Sequence, residues 1–208
     1  MPARVLVLVF AAALFVAGCG SSKSSAPATT GPGTTRSVTT SVQTTPGSPS
    51  ALQAEATSAA TGDIPDNQVF IGFRDTDAGY SMKYPEGWAQ QGKGRRVTFR
   101  DKNNIVRVVV SAGAAPTAAN VRVDLGRLAG AHVQSGPQRL TISRAAAFKV
   151  VYTTESAPNG VTGKRVTLLV DRYYLSHGSK EAIVDLGTPV GVDNVDAYRL
   201  MIESFRWR

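Results

Sequence analysis

The sequence has little of the two residue types that most often build reactive or metal-binding sites. It contains one cysteine, Cys19, and two histidines, His132 and His177, in 208 residues. A lone cysteine cannot form a disulfide within the chain, and two histidines far apart do not have the spacing of a zinc site. We therefore predict no metal and no cofactor. A domain of ordinary size needs neither a disulfide nor a metal to fold.

The chain also lacks an apolar run long enough to cross a bilayer. The longest run, V-L-V-L-V-F-A-A-A-L-F-V, occupies residues 5–16, whereas a spanning helix needs about 20 residues. Its length fits the apolar region of an export signal, about 7–15 residues, and Arg4 supplies a positive charge before it. Residues 1–18 are therefore predicted to be a signal peptide.

The string V-A-G-C at residues 16–19 resembles the lipobox of bacterial lipoproteins. The resemblance implies signal cleavage between Gly18 and Cys19 and acylation of Cys19 with lipid chains such as palmitate. Two acyl chains suffice for stable anchoring, so we expect membrane lipid as a partner and a location on the extracytoplasmic face of the cell membrane. Acylation would also remove the only thiol. The alternatives are an ordinary secretory peptide with a chance cysteine, or a short membrane anchor.

Residues 19–62 consist mainly of Ser, Thr, Ala, Gly and Pro and contain no aromatic residue. Such a segment cannot bury enough apolar surface to offset the entropy of ordering. We predict a disordered linker, followed by a globular domain over residues 63–208 that holds almost all the large hydrophobic side chains.

The net charge of +8 is compatible with nucleic-acid binding, but the positive residues are spread along the chain and export separates them from nucleic acid. An anionic lipid or envelope polymer is the simpler partner, and a solvated basic surface is the alternative. The densest basic group includes Arg96, Arg100 and Lys102. Strand alternation places Arg96 and Arg100 on one solvent-facing side, so these three residues form the candidate electrostatic contact surface.

Short runs rich in Val, Ile, Tyr and Phe predict strands in the domain. They cover residues 69–74, 80–84, 96–101, 105–111, 140–143, 147–154, 165–175 and 182–186. Asn159-Gly160 is a hairpin signal between the sixth and seventh of them. Apolar spacing predicts a helix over residues 117–129, and a terminal helix capped by Asp193 or Asn194. The fold class is α+β, an antiparallel sheet with helices on its face or faces.

The string Y-S-M-K-Y-P-E-G-W at residues 80–88 resembles a signature of PsbP-like domains, as does the ending S-F-R-W at residues 204–207. The signal, linker and domain layout is similar to that of LpqN/LpqT-type bacterial envelope lipoproteins. The resemblance implies a central antiparallel sheet sandwiched between helices, with no catalytic residues. Pro85, Gly87 and Trp88 are interpreted as a turn and a core cap, with an exposed Trp88 platform as the alternative.

No motif for catalysis is found. Residues 160–164, G-V-T-G-K, do not complete a phosphate-binding loop, and residues 75–79, D-T-D-A-G, do not complete a calcium loop. Both are predicted to be turns. We expect a non-enzymatic module that binds an envelope protein or polymer. An envelope hydrolase, a carrier of small apolar ligands and a structural spacer are the alternatives.

Overall fold

The computed structural model describes residues 61–208. The predictions on the signal peptide, on Gly18 and Cys19 and on nearly all of the linker lie outside the described residues. The described part contains ten strands and two short helices. In chain order they are β1 (Phe70–Asp75), β2 (Tyr80–Pro85), β3 (Ala89–Lys93), β4 (Arg96–Asp101), β5 (Asn104–Ala112), α1 (Ala118–Gly126), β6 (His132–Ile142), β7 (Ala145–Glu155), β8 (Thr167–His177), β9 (Lys180–Pro189), α2 (Val195–Glu203) and β10 (Arg206–Trp207).

These strands form two sheets. The larger sheet has seven strands in the order β3-β4-β5-β9-β8-β7-β6, and the smaller one has three in the order β1-β2-β10. Every pairing is antiparallel. Most neighbouring strands are also consecutive in the chain. In the larger sheet the exception is the pairing of β5 with β9, which are separated in sequence by one helix and three strands.

One side of the larger sheet, here called the core face, carries the main hydrophobic core. Because side chains alternate along a strand, every second residue points to this side. Val97 and Phe99 of β4 and Val106 and Val108 of β5 are fully buried there. The smaller sheet and α2 pack over this face, with Tyr80, Met82, Tyr198, Met201, Ile202 and Phe205 in the same cluster. Tyr198 also donates a buried hydrogen bond to the carbonyl of Gly187, 2.6 Å away.

The opposite side of the larger sheet, here called the open face, is only partly covered. Helix α1 begins after Thr117, whose hydroxyl accepts a hydrogen bond from the Asn120 backbone N–H. Its buried residues, Val121 and Leu125, pack on Phe148, Val150 and Tyr174 of β7 and β8. The part of the open face formed by β3, β4 and β5 carries the exposed side chains of Arg96 and Arg100.

The described domain is therefore mainly antiparallel β-sheet with two short helices, as the α+β class requires. The finer prediction of one central sheet flanked by helices is matched only in part, because the strands divide between two sheets, although α2 packs on one face of the larger sheet and α1 on the other. Each helix has only nine residues, and much of the core face is covered by the smaller sheet. The sequence-based strand prediction also missed β3 and most of β6. Their residues are almost all exposed and show no apolar alternation.

The hairpin signal at Asn159-Gly160 correctly joins β7 to β8, but the connection is longer than a tight turn. The two strands pair from Glu155↔Thr167 onward, which leaves residues 156–166 as the loop. Within it the side-chain oxygen of Asn159 accepts hydrogen bonds from the backbone N–H groups of Val161 and Thr162. Asn159 thus shapes a turn inside the loop.

The string at residues 80–88 has a structural role in the fold. Gly87 has φ +87°, a conformation that glycine adopts without strain and that a β-carbon disfavours. Trp88 is 8% exposed and belongs to the main core. This placement matches the interpretation of Pro85, Gly87 and Trp88 as a turn followed by a core cap, and a residue so buried is not an exposed platform.

Candidate contact surface

The uncovered part of the open face is built from three neighbouring strands in fixed register. Lys93 of β3 is paired with Arg96 of β4, and Thr98 of β4 with Arg107 of β5. Residues directly opposite each other in an antiparallel pair point to the same side. Since β4 alternates, Arg100 shares this side with Arg96. We call the surface formed by Lys93, Arg96, Arg100 and Arg107 the basic face.

The cations of the basic face are mostly available to a partner. Lys93, Arg96 and Arg100 are exposed, and none of them forms an ion pair with another of residues 61–208. Arg96 and Arg100 therefore lie together on the solvent-facing side, as alternation predicts. Lys102 is exposed just beyond the end of β4, in the turn to β5, where its φ is +51°.

Arg107 differs from the other three because a buried carboxylate holds it. Its Nη2 lies 2.7 Å and its Nε 3.1 Å from Oδ2 of Asp185. The Arg107 side chain is 42% exposed, whereas that of Asp185 is 4% exposed. The pairing Arg107↔Asp185 between β5 and β9 brings the two side chains together. Arg107 therefore presents charge to solvent from a constrained position.

Asp185 also binds a second arginine, Arg172, on its other side. Arg172 is paired with Asp185 between β8 and β9, and its Nε donates to Asp185 Oδ1 at 2.7 Å. Its Nη1 donates to Asp124 of α1 at 2.8 Å. Burial lowers the pKa of Arg172, but the hydrogen bonds and the charge of Asp185 outweigh burial and raise it. Arg172 thus remains charged beside the buried carboxylate.

Asp124 connects this group to the helix that covers the rest of the open face. It accepts hydrogen bonds from Arg172 and from the Tyr174 hydroxyl at 2.7 Å. The guanidinium of Arg172 lies 5.6 Å from the ring centre of Tyr152 and 5.9 Å from that of Tyr174, within the range of cation–π attraction. The sequence patterns did not predict the group formed by Arg107, Asp124, Arg172 and Asp185. Its members come from four separate elements, β5, α1, β8 and β9.

Aliphatic side chains lie among the cations. Ile105 and Val109 of β5 and Ile183 of β9 are half-buried. The register pairs Ile105 with Arg100 and Val109 with both Arg96 and Ile183. The basic face is therefore mixed, with guanidinium groups over a partly accessible apolar floor.

A small cleft adjoins the Arg100 end of the basic face. It has a volume of about 210 Å³ and lies between the β4–β5 turn and the β7–β8 loop. Its lining includes Arg100, Asn103, Ser156 and Asn159 together with the apolar Leu168. Lys102 also borders it. The cleft is polar and bounded by positive charge.

A larger groove, about 690 Å³, lies where the chain enters the domain. Its lining includes four aspartates, Asp63, Asp66, Asp193 and Asp196, beside Phe70 and Leu200. Within residues 61–208 no group of three or more His, Cys, Asp or Glu side chains is arranged to hold a metal ion. The small cleft is mainly polar, whereas the groove combines its aspartates with the apolar side chains of Ile64, Phe70 and Leu200.

The two histidines lie far apart in the larger sheet. His132 is paired with Thr153, which is paired with Leu169 of β8. His177 lies at the opposite end of β8, and at about 3.4 Å per residue the separation along the strand is roughly 27 Å. His177 instead stacks on Trp207, with ring centres 6.2 Å apart. The two imidazoles cannot act in one site.

The turn at residues 75–79 is stabilised by the side chain of Asp75. One carboxylate oxygen of Asp75 accepts a hydrogen bond from the Ala78 backbone N–H at 2.8 Å, and the other accepts one from the Gly94 N–H. Asp75 thereby ties the β1–β2 turn to the β3–β4 turn. The sequence interpretation of a plain turn agrees with these bonds.

Gly92→Ala is expected to disrupt the β3–β4 hairpin, which carries Lys93 and Arg96. Gly92 has φ +78°, and a β-carbon there would clash with the Arg96 carbonyl oxygen. The strain and the backbone clash together should lower the free energy of unfolding by more than about 1 kcal/mol. Amide hydrogen exchange should also become faster in β3. Denaturant unfolding and hydrogen exchange measure both effects.

Gly94→Ala is the matched control for Gly92→Ala. Gly94 has φ +64°, but a β-carbon there meets nothing within 4 Å, so only the backbone strain applies. A smaller loss of stability is expected. Equal losses for the two variants would contradict the proposed clash.

Within residues 61–208 no helix is both long enough and apolar enough to span a membrane.

The fold and the surface together define an antiparallel α+β domain with a basic sheet face that no other element of residues 61–208 covers. No protein-family model matches the chain, and no curated protein gives a significant match. The chain is similar in structure to cyanobacterial PsbP (CyanoP) from Synechocystis, with TM-score 0.47 and 16% identity over 72% of this chain and 99% of that one. It is also similar to the Ran-binding protein Mog1p of Saccharomyces cerevisiae, with TM-score 0.44 and 9% identity over 68% and 96% of the two chains.

A third similar structure comes from Bacteroides thetaiotaomicron, with TM-score 0.43 and 16% identity over 66% of this chain. The match spans about half of that protein, 48% of its length. All three identities are below the level at which a shared activity follows.

Proposed function

We propose that this chain is a lipid-anchored protein of the bacterial envelope, with a non-enzymatic, PsbP-like domain that binds another envelope component through the basic face. The observation that carries the proposal is the set of exposed cations Lys93, Arg96 and Arg100, which lack ion-pair partners within residues 61–208. Their strands are held in register in the larger sheet. Fixed charge of one sign favours capture of an oppositely charged partner.

The support for anchoring comes from the sequence. The apolar run at residues 5–16 and the string V-A-G-C at residues 16–19 have the order and length that lipoprotein processing requires. Mass spectrometry of the membrane-bound protein should find Cys19 as the first residue, carrying lipid. A mature protein that retains residues 1–18 would remove this part of the proposal.

The support for a PsbP-like binding domain is the match of residues 80–88 and 204–207 to that signature, together with the burial of Tyr80, Trp88 and Phe205. Tyr80 and Phe205 stack with ring centres 5.5 Å apart, and Phe205 contacts Trp207 edge to face. Tyr80, Phe205 and Trp207 thus form one aromatic cluster between β2 and the C-terminus. The support for a non-enzymatic role is that the two histidines are far apart.

Proximity labelling in living cells tests the proposed function. A labelling enzyme fused to the full chain should mark a reproducible neighbour, and the variant R96E/R100E should lose that neighbour. We expect the labelling yield to fall at least about tenfold, because reversing charges at an electrostatic interface turns attraction into repulsion.

The control for R96E/R100E is R74E/R122E, which changes the net charge by the same amount. Arg74 of β1 and Arg122 of α1 are exposed and lie outside the basic face. Equal labelling by the two variants would remove the basic face from the proposal. The absence of any reproducible neighbour for the unmodified chain would reject the binding function as a whole.

A further inference from the structure

We propose that the occupant of the basic face is a protein with an acidic surface, and that one of its carboxylate side chains enters the small cleft beside Arg100. This inference rests on the proposed binding function and specifies the partner and the central residue of that surface. It follows from the strand register of the basic face, from its apolar floor and from the size of the cleft.

The Cα positions of the basic face have spacings that the strands define. The Cα atoms of Arg96 and Arg100 lie on the same side of β4, roughly 14 Å apart at about 3.4 Å per residue. Arg107 lies between them on the next strand, opposite Thr98, and Asp185 holds it in place. Such a fixed pattern suits carboxylates that are themselves fixed on a folded surface. A flexible polyanion needs no such pattern.

The apolar floor favours a protein over a lipid headgroup layer or a phosphate polymer. Ile105, Val109 and Ile183 are half-buried between the arginines. Burial of these three side chains stabilises a complex only where the partner also presents apolar atoms. More than half of a protein surface consists of apolar atoms, whereas a phosphate polymer has little apolar surface to contact these side chains. Arginine beside apolar residues is also typical of the centre of protein interfaces.

The size of the cleft selects one side chain and excludes larger groups. Its volume is about 210 Å³, below the roughly 300–1,000 Å³ of small-molecule sites. Arg100 forms part of its wall, with the polar Asn103 and Asn159 nearby. A guanidinium can bind a carboxylate through two parallel hydrogen bonds. An aspartate or glutamate side chain therefore fits both the volume and the charge.

This arrangement makes Arg100 the dominant residue of the interface and Arg96 a peripheral one. A residue in a desolvated pocket contributes far more to affinity than one at a solvated rim. Arg100→Ala should weaken binding at least about 30-fold. Arg96→Ala should weaken it less than about fivefold. Arg74→Ala, on the smaller sheet, should leave the affinity unchanged.

Site-specific photocrosslinking in the native cell tests the inference with the full chain. Gln91 is exposed and paired with Thr98, so it lies beside the basic face, whereas the neighbouring Gln90 is paired with buried Phe99 and points to the other side. p-Benzoylphenylalanine replaces each glutamine in turn. Mass spectrometry identifies the partner in the adduct. The affinity of that partner is then measured for the unmodified chain and for the variants Arg100→Ala, Arg96→Ala and Arg74→Ala.

The expected result is a peptide adduct at position 91 and none at position 90. Its source protein should have an acidic surface at the crosslinked site, and the affinity losses should follow the order given above. A phospholipid or polymer adduct at position 91 would overturn the inference, as would equal affinity losses for R100A and R96A. The absence of any adduct at position 91 would also overturn it.

The proximity-labelling experiment separates the two levels of the proposal. A reproducible neighbour that crosslinks away from position 91 leaves the binding function intact and rejects the acidic occupant of the basic face. The absence of a neighbour rejects the binding function itself.

Discussion

Asp185→Ala is expected to lower the free energy of unfolding by about 3–5 kcal/mol, because it leaves a buried arginine without its main partner. The Asp185 carboxylate receives two hydrogen bonds from Arg172 and two from Arg107. The Arg172 side chain is 7% exposed, so water cannot replace the lost carboxylate. Asp124 remains, but it contacts only Nη1 of Arg172. Denaturant unfolding of the full chain measures the loss.

Two control variants separate this mechanism from a general loss of packing. The double replacement Arg172→Met with Asp185→Leu removes both buried charges and should cost clearly less than Asp185→Ala alone. Arg107→Ala should cost less than about 1 kcal/mol, since its side chain is 42% exposed and solvent screens it. If the double replacement were the more damaging variant, the account of a stranded buried charge would be wrong.

Asn194→Ala is expected to lower the free energy of unfolding by about 2–4 kcal/mol and to release the segment where the chain enters the domain. The Asn194 side-chain oxygen accepts a hydrogen bond from the Ile64 backbone N–H at 2.8 Å. Its amide nitrogen donates to the Gly62 carbonyl at 3.1 Å and to Thr188 at 2.8 Å. Asn194 is 3% exposed, and each buried group left unsatisfied costs about 1–3 kcal/mol.

Limited proteolysis together with denaturant unfolding tests this prediction. Cleavage near residues 62–64 should become faster in the Asn194→Ala variant, while the rest of the domain stays resistant until global unfolding. Asn103→Ala is the control, because Asn103 is exposed in the β4–β5 turn and should change neither property. A stability loss without faster cleavage at this segment would place the role of Asn194 elsewhere.

Local patterns predicted the exposure of Arg96 and Arg100 because that exposure depends on the alternation of one strand. The bounds of β4 agree with the prediction, and the exposure of Arg96 and Arg100 follows from a period of two between buried Val97 and Phe99. The turn after β4 is likewise set by its own residues, with Asp101 paired to Asn104.

Features that depend on register between distant segments were not predictable. Asp124 and Asp185 meet at Arg172 only because β8 pairs with β9 and α1 crosses the open face. Strand β3, A-Q-Q-G-K, has no apolar residue larger than alanine and is defined by its pairing with β4. No local pattern contains that information.

Asn194 shows how a correct local prediction can miss the role of a side chain. The sequence indicates a cap at Asp193 or Asn194, and the terminal helix does begin after Asn194. The Asn194 side chain makes no capping bond, because it points into the domain toward Asn104 and Thr188. Asp193 instead accepts a hydrogen bond from the Val195 N–H at 3.2 Å.

Arginine footprinting in native envelopes tests most directly whether the basic face is the surface that binds a partner. Phenylglyoxal modifies accessible arginines, and mass spectrometry gives the rate at each position. Arg96 and Arg100 should react several-fold more slowly in envelopes than in the purified full chain, while Arg74 and Arg122 react equally in both. Equal rates at all four arginines in the two samples would contradict the account.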